Sequence, residues 1–247
     1  MNRATRRAFE RATGALNTAF AHGGPFPGQE ATPPLLTEEV LKCLDICQLV
    51  DAAEDAADNP MPPEEVDELG THALECLSDL GLWAYQLKLD DARATIEDIA
   101  LDMAHWIVQH GGRIGVLEPV VNALTRQANA MQDPAALAAL FNRALVIIKS
   151  AAQETDDKGN PGKWDPDKGD PAQLQPWLCL HFNTAIIATR TQQPALMNAA
   201  YDLLETRLPR HCAAFFEEGL RETAKPVYGE PVRAMMHERL AKWTPRG

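Results

Sequence analysis

Residues 134–148 read PAALAALFNRALVII, and their spacing decides the fold class. Leu137, Leu140, Phe141, Ala144, Leu145 and Ile148 recur three and four positions apart, which gathers them on one wide face of an α-helix. The segment opens on Pro134, and Gln193-Pro194, Leu208-Pro209 and Glu230-Pro231 open later segments in the same way. Proline is tolerated at the first helical position because its missing N–H would have had no partner there. Leu145-Val146-Ile147-Ile148 comes nearest to a buried parallel strand, yet it lies inside this helical pattern. The expectation is an all-α protein of nine or ten helices.

Working outward, the same periodicity recurs in both directions. A helix is expected after Thr37, whose hydroxyl is placed to cap it, with Val40, Cys43 or Leu44, Cys47 and Val50 facing inward. Asn59-Pro60-Met61-Pro62-Pro63 forms a stiff turn before Val66, Leu69, Ala73, Cys76 or Leu77, and Leu80. Ile96, Ile99, Met103, Trp106 and Ile107 follow Asp90-Asp91 and stop at Gly111-Gly112. After residue 176 come helices from about Pro176, Pro194, Pro209 and Pro231. Residues 154–176 hold no apolar periodicity and are expected as a long polar loop containing Trp164, either a recognition loop or a disordered insertion. The expected division is a basic helix or arm with a Pro/Gly linker over 1–36, then one helical domain over 37–247.

Acids outnumber bases to give a formal charge of −12, unevenly spread. Between Glu38 and Asp102 the only bases are Lys42, Lys88 and Arg93. A field of that sign repels phosphate backbones, so nucleic acid is not expected as a partner. A basic protein or peptide suits it, as does a plain solubilising surface; a homodimer is compatible with both. No apolar stretch reaches the roughly 18–20 residues that cross a bilayer, so no transmembrane segment is expected. Thr13, Asn17 and Thr18 interrupt what would be the apolar core of a signal peptide. Five cysteines, Cys43, Cys47, Cys76, Cys179 and Cys212, argue against a disulfide framework and fit reduced thiols of a cytoplasmic protein.

Trp83-Ala84-Tyr85 followed by Asp90-Asp91-Ala92-Arg93-Ala94 resembles the tyrosine, turn and small alanine of a tetratricopeptide-repeat unit. Trp177-Leu178-Cys179-Leu180 with Ala199-Ala200 is similar to part of a second. The glycine and the repeat-end proline of that family do not recur in phase, so the likeness is one of architecture. It implies antiparallel helix pairs stacked as an α-α superhelix with a concave surface for a peptide or protein. A compact irregular helical bundle is the alternative. Trp83, Tyr85, Trp164 and Trp177 are the expected binding anchors, with packing between helices as the competing role of each.

Candidate chemistry is sparse. Cys43-x3-Cys47 and His72-x3-Cys76 each span one helical turn, and a hairpin near Asn59 would level Cys43 with Cys76 and Cys47 with His72. Three thiolates and an imidazole suit tetrahedral zinc, though cysteines on an apolar stripe are ordinarily core residues. Asp102-x2-His105 has the local form of a di-iron ligand pair but lacks a second such pair. Asp165 to Asp170 fails the calcium-loop pattern at Gly169, Asp170 and Pro176. Cys179 near His181 and Cys212 beside His211 are the only nucleophile candidates, and neighbours on a helix point about 100° apart. The main expectation is a protein- or peptide-binding helical scaffold without a cofactor. The alternative is an all-helical enzyme or a zinc-binding protein with a Cys/His site.

Overall fold

The computed structural model describes Met1 and residues 3–23, 31–55, 60–151 and 171–244. Among them lie ten helices: α1 (Arg3–Gly23), α2 (Pro33–Asp55), α3 (Pro63–Gln86), α4 (Asp90–Gln109), α5 (Glu118–Ala130), α6 (Pro134–Ala151), α7 (Pro171–Thr191), α8 (Pro194–Arg207), α9 (Pro209–Thr223) and α10 (Glu230–Trp243). Prolines occupy the first turn of α3, α8, α9 and α10, as their fixed φ favours. Left-handed residues follow three helices: Lys88 at φ 58° after α3, Gly111 at φ 78° after α4, and Gln192 at φ 54° after α7.

Two boundaries differ from the sequence expectation. α2 begins at Pro33, so Thr37 lies inside the helix and its hydroxyl donates back to the Pro33 carbonyl at 2.7 Å instead of capping. A pair of prolines can start a helix early because neither needs a hydrogen-bond acceptor. α7 begins at Pro171 and carries Pro176 within it, so the helix takes in the end of the expected loop. Trp164 and the Asp165–Asp170 run lie outside the described residues.

By contacts the chain divides into two compact units. One comprises Met1–Arg126 with Lys149–Gln153, the other Gln127–Ile148 with Glu154–Gly247. In the first unit α1 packs on α2, α2 on α3, α3 on α4, and α4 back on α1. Alternate directions follow from the contacts: Arg6 pairs with Asp45 and Asn17 meets Thr37 across α1 and α2. Gly70 near the start of α3 faces Ile107 near the end of α4. The four helices therefore close on themselves as an up-down-up-down bundle, not as an open stack.

Of the helix or arm expected at the N-terminus, the structure holds a helix, α1, packed into this bundle. Phe9 and Leu16 of α1 have no exposed surface, and they share the core with Val40, Leu74, Leu77, Ile96 and Leu101. Each such burial stabilises by roughly 1.5–3 kcal/mol, which a free arm would forgo. α3 and α4 approach closely because Gly70 has no side chain; a Cβ there would meet Ile107 at 2.5 Å. Gly112 does the same against Val66 at 2.6 Å. At one pole Asp51 of α2 accepts from Trp106 Nε1 at 2.7 Å and lies 3.3 Å from His110 Nε2. At the other pole Trp83 Nε1 donates to the Ala31 carbonyl at 3.0 Å, with Phe20 set edge-on at 5.1 Å.

The second unit is held by a different kind of contact. Tyr201 of α8 shares a 2.7 Å hydrogen bond with Thr189 of α7, and Phe182 stacks on Phe215 of α9 at 5.7 Å. Arg239 of α10 is almost wholly buried and binds Asp202 at 2.5 Å, Glu205 at 3.1 Å and Asn198 at 2.7 Å on α8. Its guanidinium also lies over the Tyr201 ring. α6 is the one described helix long and apolar enough to cross a membrane. Leu137, Leu140, Phe141, Ala144, Ile147 and Ile148 are nevertheless buried within the protein.

Candidate functional site

A concave feature rich in polar side chains lies in the first unit, where α3, α4 and the start of α5 meet. It is a half-open groove of about 380 Å³ lined by Leu77, Ser78, Asp79, Gly81, Leu82, Tyr85, Arg93, Glu97, Glu118, Pro119 and Asn122. α3 supplies Asp79, Leu82 and Tyr85 on its outward face, each three residues from the next, so they form one row. Gly81 leaves room beside that row, since a Cβ there would meet nothing within 4 Å.

The floor is rigid. Glu97 is only 5% exposed, a cost that a lone carboxylate could not sustain. Arg93 Nε meets its Oε1 at 2.9 Å and Arg126 Nε its Oε2 at 3.2 Å, while Arg126 also bonds to Asp98 and to the Ala94 carbonyl. The Arg93 guanidinium lies 5.2 Å from the centre of the Tyr85 ring, within cation–π range. Tyr85 is 61% exposed, so the contact with Arg93 leaves much of the residue to solvent. On the rim, burial pushes the Asp79 carboxyl above the usual carboxylate range and the like charge of Glu75 adds to it.

Of the four aromatic anchors read from the sequence, Trp164 lies outside the described residues, and of the other three Tyr85 alone stands exposed at a concave surface. Trp83 and Trp177 are core residues, 1% and 3% exposed. Trp83 is one position from Leu82 and two from Tyr85, which turns it to the opposite, inward side of α3. Trp177 packs against His181, ring centres 4.1 Å apart. Asp79, Arg93, Glu118 and Asn122 were not singled out by sequence. Their convergence depends on the α3–α4 and α4–α5 turns, and no periodicity within one helix could have shown it.

The zinc reading does not survive the arrangement of its ligands. His72 Nε2 lies 3.5 Å from Glu39 and 3.8 Å from Cys76. Cys47 is wholly buried, and burial pushes its thiol up to about 12; Cys43 and Cys76 are each pushed up to about 11, again mainly by burial. Zinc needs thiolates, which these surroundings oppose. Among the described residues, no group of three or more His, Cys, Asp or Glu side chains could hold a metal ion, Asp102 and His105 included.

The cysteine–histidine pairs also part company. His181 is buried and donates from Nδ1 to the Trp177 carbonyl at 3.0 Å, whereas Cys179 faces solvent. Cys212 is buried with its thiol pushed up to about 11, and His211 lies edge-on to Phe182. Cys179 is the one exposed thiol, Cys43, Cys47, Cys76 and Cys212 being buried. A maleimide titration of the native protein should therefore consume one thiol rapidly and the other four only on unfolding, with Cys179→Ser abolishing the fast phase. Two or more fast thiols in the wild type would contradict the placement of the cysteines.

Comparison of the chain with protein-family models, with curated proteins and with solved structures finds no match.

Proposed function

We propose that this protein is an all-helical binding protein whose α3–α4–α5 groove takes a basic segment of another protein. The observation that carries this reading is the exposed Tyr85 beside Asp79 and Glu118, in a groove whose arginine is already neutralised by Glu97. The surrounding sequence strengthens it: residues 37–102 carry eighteen acids against three bases, more negative charge than the whole chain nets. Such a field speeds encounter with a cationic partner and selects against anionic ones. The helix pairs would then serve as a scaffold of the kind the tetratricopeptide-like resemblance implies. The α3–α4 hairpin supports stacked antiparallel pairs, and the closure of α1–α4 restricts any superhelix to the helices after α4.

The test is the binding of labelled basic and acidic peptides of equal length, read by fluorescence anisotropy. Basic peptides should bind at low salt, weaken steeply as salt rises, and weaken further with the double variant Asp79→Asn, Glu118→Gln. Equal binding of acidic and basic peptides would overturn the reading.

An all-helical enzyme is the second reading, favoured by one observation: a carboxyl above its ordinary range, Asp79, lines the same groove as Ser78 and Tyr85. Perturbed carboxyls in clefts are where acid–base chemistry is found. A small molecule that raises the melting temperature and is consumed by wild type but not by Asp79→Asn would support it. Ligands that bind and are recovered unchanged would count against it.

A further inference from the structure

The groove distinguishes between the two basic side chains, an inference that rests on the reading of the groove as a site for a basic segment. Arg93 shows what the Tyr85 ring accepts, since its guanidinium lies over one face at 5.2 Å and is held there by Glu97. That contact leaves room for a second one, because Tyr85 remains 61% exposed. A ring presents the same negative quadrupole on both faces, so a second flat cation can complete a sandwich. Leu82, 47% exposed, and Pro119 offer an apolar wall for an aliphatic stem, and Asp79 and Glu118 offer carboxylates at the rim. Burial and the like charge of Glu75 both disfavour the ionised Asp79 carboxyl, which a cationic partner would offset.

We infer that the groove receives an arginine side chain of the partner, its guanidinium stacked on Tyr85 and hydrogen-bonded to the Asp79 and Glu118 carboxylates. Guanidinium is flat, weakly hydrated and offers donors in a fork, so it can stack and bond to carboxylates together. The lysine ammonium is compact and strongly hydrated; it gains from the carboxylates but little from the ring. A basic segment rich in arginine is thereby preferred over one rich in lysine at equal charge.

Two labelled peptides that differ only in having every arginine replaced by lysine provide the test, titrated into the full chain at low salt. The arginine peptide should bind about tenfold more tightly. Tyr85→Ala should bring the two affinities together, and Gly81→Leu should weaken both by filling the groove. Neither variant should shift the melting temperature downward by much, because Tyr85 is exposed and Gly81 has open space beside it. Equal affinities in the wild type, or an arginine preference that survives Tyr85→Ala, would overturn the inference while leaving a basic partner in place. Displacement of the arginine peptide by agmatine at the peptide's own concentration would also overturn it, by assigning the site to a small guanidine. Failure of both peptides to bind would take down the basic-partner reading as well.

Discussion

Trp83→Ala is expected to destabilise the first unit by about 4 kcal/mol, the loss typical of deleting a wholly buried indole. Trp83 is 1% exposed, meets Phe20 of α1 edge-on at 5.1 Å, and donates from Nε1 to the Ala31 carbonyl at 3.0 Å. Truncation would open a cavity where α1, α3 and the chain entering α2 come together. In a chain of this length the midpoint of thermal unfolding should fall by about 10 °C. Trp83→Phe keeps most of the apolar volume and loses the indole donor, so it should cost about 1–2 kcal/mol. Circular dichroism melts of the two variants check the ordering. A change below about 1 kcal/mol for the alanine variant would mean the indole is a surface anchor after all.

The two residues Trp83 and Tyr85 mark the border between what the sequence could and could not disclose. Apolar spacing within a single helix was legible, because it is a local property. The faces around Leu137 and Phe141, and around Ile96 and Ile107, are buried as their spacing implies. Starts marked by Pro194, Pro209 and Pro231 fall in the first turns of α8, α9 and α10. What could not be read was which face of an amphipathic aromatic pair points outward. Trp83 and Tyr85 stand two residues apart, and a step of about 100° per residue sends one to the core and the other to solvent. Composition gave no reason to choose between them.

The candidate site was less legible than the fold for a related reason. Asp79, Arg93 and Glu118 come from three helices, and their meeting depends on turns whose geometry is set by Lys88 at φ 58° and Gly111 at φ 78°. A non-glycine residue in the left-handed region is not announced by sequence at Lys88. The zinc reading failed at the same level: spacing put Cys43, Cys47, His72 and Cys76 on facing helices, but not at a common point. His72 instead turned outward to Glu39. Electrostatics explains the preference, since an exposed imidazole beside a carboxylate retains its hydration, whereas one between buried thiols would lose it.

Acidification should destabilise the second unit through His181 of α7. Its ring is 2% exposed, Nδ1 donates to the Trp177 carbonyl, and Nε2 is buried without a hydrogen-bond partner among the described residues. A second proton would have to sit on Nε2 with nothing to receive it. Burial therefore pushes the imidazole down from its ordinary value to about 4; the Trp177 carbonyl opposes this and Arg207 adds to it. The unfolded chain takes up the proton near pH 6.5 and the folded chain only near pH 4, so the unfolded state binds more protons between these values. Stability from this group is complete above pH 6.5, falls as pH is lowered through the window, and levels off below pH 4. The full loss is roughly 3 kcal/mol, of which about 2 kcal/mol should be seen between pH 7 and pH 5. Asp79 acts in the opposite sense, its raised carboxyl favouring the folded state on acidification, so the comparison must be made between variants at each pH. Urea midpoints for wild type and His181→Phe at both pH values isolate the histidine: the difference in pH dependence should be about 2 kcal/mol. Identical slopes for the two proteins would show that the imidazole finds a proton acceptor, or water, that its surroundings in α7 and α8 do not provide.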